Sequence, residues 1–217
     1  MKRISVFILI SIFLLNFTVC AENIKNISTE PEESSDFYIT ELLKLGILGD
    51  SLDMTATAKR NEIAKLVSKT LLLPETLIPS TFEDVDENTP NSGYISTMQM
   101  NGIMIGNTEK MFLPEKEITS DELIKTLISM LGYSTYADKK GGYPEGYLIT
   151  AKEIGLIDDE YINKTVITNE YASKLVYKSL NLPLMKQTVF GPEPEYVICN
   201  GEDAALETVL SDYWGIK

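Results

Sequence analysis

Met98-Gln99-Met100-Asn101-Gly102-Ile103-Met104 reads as the last turn of a helix, a glycine, and an apolar pair that folds back over it. Glycine just beyond a helix takes the left-handed conformation that other residues resist, and the residues behind it cover the last turn. The same pattern stands at Leu42-Leu43-Lys44-Leu45-Gly46-Ile47-Leu48 and at Ala151-Lys152-Glu153-Ile154-Gly155-Leu156-Ile157, so the glycines lie 56 and 53 residues apart. Across a loop from each comes a second helical segment. These are 61–72 with Ile63, Leu66, Val67 and Leu71; 121–131 with Leu123, Ile124, Leu127, Ile128 and Leu131; and 170–180 with Tyr171, Ala172, Leu175, Val176 and Leu180. The 3/4 spacing gives each segment one apolar stripe and hence one buried face. Such a unit cannot bury its face alone, so the recurrence predicts stacked helix–loop–helix repeats sharing a core.

Outward from the repeats, the first 21 residues have the layout of a secretory signal peptide: Lys2 and Arg3, an apolar stretch over 4–17, then small residues Val19 and Ala21 at a cleavage site. Val19 is a poor residue to precede an acylated cysteine, so cleavage after Ala21 is preferred to lipidation at Cys20. Residues 22–35, centred on Glu30-Pro31-Glu32-Glu33, read as an acidic spacer. No later run reaches the ~18 apolar residues of a spanning helix, so no transmembrane anchor is expected. The tail from 191 contains Tyr196-Val197-Ile198-Cys199-Asn200-Gly201, read as a short strand and turn, and a helical segment over 204–213.

Composition narrows the chemistry. The 217 residues contain 19 Lys+Arg, 32 Asp+Glu, two cysteines and no histidine, for a net charge of −13. Without histidine there is no His-based acid–base pair, no Ser/His/Asp triad and no imidazole zinc site. Removing the leader leaves 17 basic against 32 acidic residues, a charge of −15, and Cys199 as a lone thiol without a histidine partner. Nucleic acid is not expected as a partner, because it selects for basic surface. No nucleophile elbow, Ser-x-x-Lys or phosphate loop is present. No enzyme, cofactor or metal is expected.

The middle repeat carries Phe82-Glu83-Asp84-Val85, Gly102-Ile103-Met104-Ile105-Gly106, Phe112-Leu113-Pro114 and Ile118-Thr119-Ser120-Asp121-Glu122 in order. That succession resembles the S-layer homology repeat. The join from Leu131-Gly132-Tyr133 to Gly141-Gly142-Tyr143-Pro144-Glu145-Gly146-Tyr147-Leu148 is similar to the one between second and third repeats of clostridial surface proteins. The resemblance covers about 36–190 and divides the chain into repeats at 36–80, 81–134 and 135–190, with a C-terminal extension at 191–217. It implies an all-α, pseudo-threefold bundle of three repeats, secreted to the cell surface. There it would be anchored non-covalently by secondary cell-wall polysaccharide, an anionic polymer often pyruvylated.

The family's binding element, Thr-Arg-Ala-Glu at the start of each second helix, is only partly kept. The first repeat reads Lys59-Arg60-Asn61-Glu62, the second Thr119-Ser120-Asp121-Glu122, the third Thr168-Asn169-Glu170-Tyr171. A helix start offers N–H groups and the positive end of a dipole, and an arginine there adds a planar fork for a carboxylate. Only Arg60 keeps that fork. The candidate polysaccharide contacts are Lys59, Arg60, Glu62, Asp84, Gly106, Thr119 and Glu122.

Other readings of these residues stand beside this one. Thr119 with Glu122 is also a capping box that needs no ligand. Arg60 is open to a ligand or to an internal ion pair. Asp84, Asp86 and Asn88 open like a calcium loop, but Thr89 and Ile95 stand where it needs glycine and glutamate. Tyr133, Tyr136, Tyr143 and Tyr147 suit either stacking on sugars or pinning a loop over the core. The alternative function is a degenerate bundle that binds envelope proteins rather than sugar.

Overall fold

In a computed structural model of the chain, the described residues are 35–49, 51–161, 163, 166–189, 195–198 and 207–216. The expected signal peptide, the expected spacer up to residue 34 and Cys199 lie outside them. The described residues are mostly helical. Helices run α1 Ser35–Lys44, α2 Arg60–Thr70, α3 Ser92–Met100, α4 Ser120–Met130, α5 Ser134–Lys139, α6 Glu145–Glu153, α7 Asn169–Leu180 and α8 Val209–Asp212. The strands are β1 Met185–Val189 and β2 Glu195–Ile198.

All three glycine ends form as the sequence predicts. Gly46, Gly102 and Gly155 have φ of +69°, +66° and +82°. The next residue's N–H reaches back five residues each time: Ile47 to Leu42, Ile103 to Met98, Leu156 to Ala151. That closes the orphan carbonyls of α1, α3 and α6 and buries Ile47, Ile103 and Leu156.

Packing joins helices from different parts of the chain. α3 lies on α2, α6 on α4, and α1 on α7, where Phe37 meets Tyr177 edge-on at 5.7 Å. The long helices α2, α4 and α7 touch one another. Between their starts run three short extended segments bridged at the backbone: Ala58 N–H donates to Ile167 O and Ile118 N–H to Ala58 O, both at 2.9 Å. Ala58 and Ile118 are wholly buried and Ile167 nearly so. Leucine and isoleucine from all three long helices, among them Ile63, Leu123, Leu127 and Leu175, join one continuous core.

The C-terminal part was only half legible. The antiparallel β1–β2 hairpin pairs Met185 with Ile198 and carries a bulge between Gln187 and Val189. It hangs from α4 through Met185 N–H to Leu131 O at 2.9 Å. Further on, the Trp214 indole donates to the Thr70 carbonyl at 2.9 Å, closing one of the orphan acceptors at the end of α2.

Candidate functional site

At the start of α2 lies an open cleft of about 200 Å³. Its walls are the first turn of α2, the 103–113 loop that follows α3, one face of α4 and Tyr143. Arg60, the first residue of α2, forms its floor. The side chain is 13% exposed and its guanidinium is held by its own chain: Nε donates to Phe112 O at 2.8 Å and Nη2 to Ile105 O at 3.2 Å. Its carbon lies 4.7 Å above the Phe112 ring, and Nη1 is 4.0 Å from Glu122 Oε1. Burial pulls the Arg60 pKa below the ordinary arginine value, while Glu122 and Asp84 pull it back up. It remains a cation.

The loop is shaped to receive that side chain. The Asp84 carboxylate accepts from Phe112 N–H and Leu113 N–H, each at 2.7 Å, so the carbonyl of Phe112 is fixed facing Arg60. Phe82 and Phe112 pack at 5.3 Å behind it. Gly106 lets the loop close: a Cβ there would stand 2.7 Å from Phe82 Cε1 and 2.8 Å from Met111 O. Asp84 is therefore a clamp behind the cleft, and Gly106 is part of the wall.

Glu122 stands on the far side. It accepts from Lys116 Nζ at 2.6 Å and from Thr119 N–H at 3.2 Å, and Thr119 Oγ1 in turn accepts from Glu122 N–H. The capping box is thus real, and its glutamate also faces the cleft. The two positions Lys59 and Glu62 lie outside. Lys59 pairs with Glu115 at 2.6 Å, and Glu62 accepts from Lys59 N–H at 2.9 Å. Lysine has no acceptor, so α2 has only half a box.

The helix start differs from the sequence expectation in one respect. The N–H groups of Arg60 and Asn61 are used internally, donating to Lys116 O and Pro114 O at 3.1 Å. The bridging segments that build the core fill the place where an anion would reach those amides. Any anion in this cleft must therefore be met by side chains.

Reading the sequence missed Lys116, Lys125 and Asn107 as cleft residues. Lys125 lies one turn beyond Glu122 on α4, and that i, i+3 spacing was the available signal. Its ammonium sits 5.0 Å from the Tyr143 ring centroid and 5.9 Å from that of Tyr147. Of the four tyrosines, Tyr133 and Tyr147 are buried, Tyr136 bonds Glu153, and Tyr143 lines the cleft at 46% exposure. The cleft thus presents Arg60, Lys116 and Lys125 against the single carboxylate Glu122, on a chain of net charge −13.

The corresponding starts of α4 and α7 are occupied by the chain itself. Over α4, the Tyr161 hydroxyl lies 2.7 Å from Ser120 Oγ and 3.0 Å from Asp121 Oδ1, and Asn163 Nδ2 donates to Asp121 Oδ2 at 2.6 Å. Burial, with Asp121 close by, drives the Tyr161 pKa far upward. At α7, Asn169 Nδ2 donates to Asp53 O at 3.0 Å. In the calcium-like stretch the Asp86 carboxylate accepts from Asn88 N–H and Thr89 Oγ1, forming a turn.

Comparison with known proteins agrees with the resemblance drawn from the motifs. The family profile described as "S-layer homology domain" matches residues 81–123, which hold most of the cleft wall. A curated relative, the "Middle cell wall protein" of Brevibacillus brevis, is 24% identical across 86% of this chain. The chain spans only 18% of that protein's length. The similarity to the S-layer homology family thus rests on residues 81–123, the stretch that carries the motifs quoted from the middle repeat.

Proposed function

We propose that the chain is a non-catalytic anchor that holds to the cell wall by binding an anionic secondary wall polysaccharide in the Arg60 cleft. The observation that carries this reading is electrostatic. A protein with a large acid excess gathers three cations around one carboxylate at a single concave place. Anionic sugars approaching an acidic surface would be repelled elsewhere and accepted there. The S-layer homology match supplies the class of partner, and the cell-wall name of the Brevibacillus relative supports the location outside the cell.

The finer architecture belongs to the same proposal. Each long helix receives the first helix of another unit, α2 taking α3, α4 taking α6 and α7 taking α1. Three repeats related in this way form a pseudo-threefold bundle with three potential grooves, one of which is equipped. Occupation of the α4 groove by Tyr161 and Asn163 favours a second reading for that face, contact with envelope proteins.

The test is a sedimentation assay. The chain lacking residues 1–21 should pellet with cell-wall sacculi and stay in solution once the non-peptidoglycan polymer has been stripped from them. Pelleting that survives stripping would assign the partner to peptidoglycan or protein.

A further inference from the structure

Three cations line the cleft, and two already have partners. Arg60 is tied to Phe112 O and Ile105 O, and Lys116 to Glu122. Lys125 is different: among the described residues its ammonium has no hydrogen bond and no ion pair, only the faces of Tyr143 and Tyr147. An aromatic ring is a weaker counter-charge than a carboxylate that accepts a hydrogen bond. A half-buried ammonium balanced only by rings is a place that an arriving anion completes.

We propose that Lys125 and Tyr143 make the direct contact with the acidic group and ring of one sugar residue, and that Arg60 is a positioning residue that holds the 105–112 wall. This rests on the polysaccharide reading above and names the residues that perform it. The cleft, at about 200 Å³, is smaller than the ~300 Å³ at which drug-sized sites begin, so it takes one ring rather than an oligosaccharide. Beside Asn107 and Thr126 the lining has an apolar part formed by Met104, Met111 and Leu113, and Tyr143 is exposed there. That favours a carboxylated pyranose, whose C–H face meets the apolar wall and tyrosine while its carboxylate reaches Lys125. A bare inorganic anion would leave the apolar wall unused.

The experiment uses the chain without its leader and secondary wall polysaccharide purified from Brevibacillus brevis. The polymer is taken in native form and after its carboxyl groups have been reduced to alcohols. Calorimetry measures affinity and thermal melting checks the fold. Lys125→Met should weaken binding of native polymer about tenfold or more, the scale of one charge-assisted contact, with an unchanged melting temperature. Reduction of the polymer should cost the parent a similar factor and cost Lys125→Met nothing further. Arg60→Ala should bind more weakly and melt lower, yet still distinguish native from reduced polymer, because its loss disturbs the wall and leaves the carboxylate contact. Equal binding by the parent and Lys125→Met, or loss of that discrimination in Arg60→Ala alone, would overturn the assignment while leaving the polysaccharide reading intact. No binding by the parent would overturn both.

Discussion

Arg60 Nε donates to the Phe112 carbonyl at 2.8 Å while its guanidinium lies 4.7 Å above that same residue's ring. One side chain thus clasps both the backbone and the aromatic face of a residue 52 positions away. Arg60→Ala would leave two loop carbonyls without their charged donor and open space beside Phe112. It should destabilise the fold by about 1.5–3 kcal/mol, the range for hydrogen bonds to charged groups. Arg60→Lys should recover only part of this, since lysine keeps the charge and loses the fork. Urea unfolding of the two variants measures both; a destabilisation near zero for Arg60→Ala would mean that the clasp is not maintained in solution.

Helix α2 ends where α4 ends with a glycine, but with Leu72 in its place. Leu72 has φ +53° and is half exposed, whereas Gly132 has φ +88°. A left-handed leucine is strained by about 1–2 kcal/mol, part of which glycine gives back as chain entropy. Leu72→Gly should therefore stabilise by about 0.5–1 kcal/mol, read as a higher urea midpoint with an unchanged slope.

Caps give a matched pair of predictions at α4 and α2. Thr119→Ala removes the acceptor for Glu122 N–H and should cost about 1 kcal/mol. Lys59→Thr would supply the missing acceptor for Glu62 N–H and complete the box at α2. It sacrifices an exposed pair with Glu115, the kind that contributes little, so the thermal midpoint should rise. A fall would show that the lysine stem matters more than the cap.

The pH dependence should centre on Glu122. Burial raises its pKa, but Lys116, Thr119 N–H and Arg60 together outweigh burial and hold the carboxyl below its ordinary 4.5. A depressed folded-state pKa contributes stability that is present above the unfolded value and is lost as pH falls through the folded one. The melting difference between the parent and Glu122→Gln should therefore be constant near neutrality and shrink as pH drops below about 4.5. A difference that stays constant into strong acid would deny the coupling.

What was legible in the sequence was local. The turns at Gly46, Gly102 and Gly155 depend on a few neighbouring residues, and the three long helices begin one residue before the apolar patterns suggested. Thr119 and Glu122 likewise signal their cap from three positions apart. The cleft was legible through Arg60, Gly106 and Glu122, but not through what holds them. Asp84 reads as a candidate sugar contact until folding brings Phe112 N–H to it across 28 residues and makes it a clamp behind the cleft. Lys125 looks like any solvent-side lysine of α4 until Tyr143 returns from the next unit. The β1 strand escaped notice because Met-Lys-Gln-Thr-Val has weak alternation and takes its register from Leu131 O and β2.

The docking of α1 on α7 bears on how the molecule comes into being. Synthesis delivers Phe37 more than a hundred residues before the Tyr177 ring it packs against. Ala58 must likewise wait for the Ile167 carbonyl. Such distant pairings pay loop-closure entropy before any contact rewards it, and they slow folding. A chain interrupted before Ile167 therefore lacks the ring that packs on Phe37 and the carbonyl that receives the Ala58 N–H, so its first helix has no native partner there.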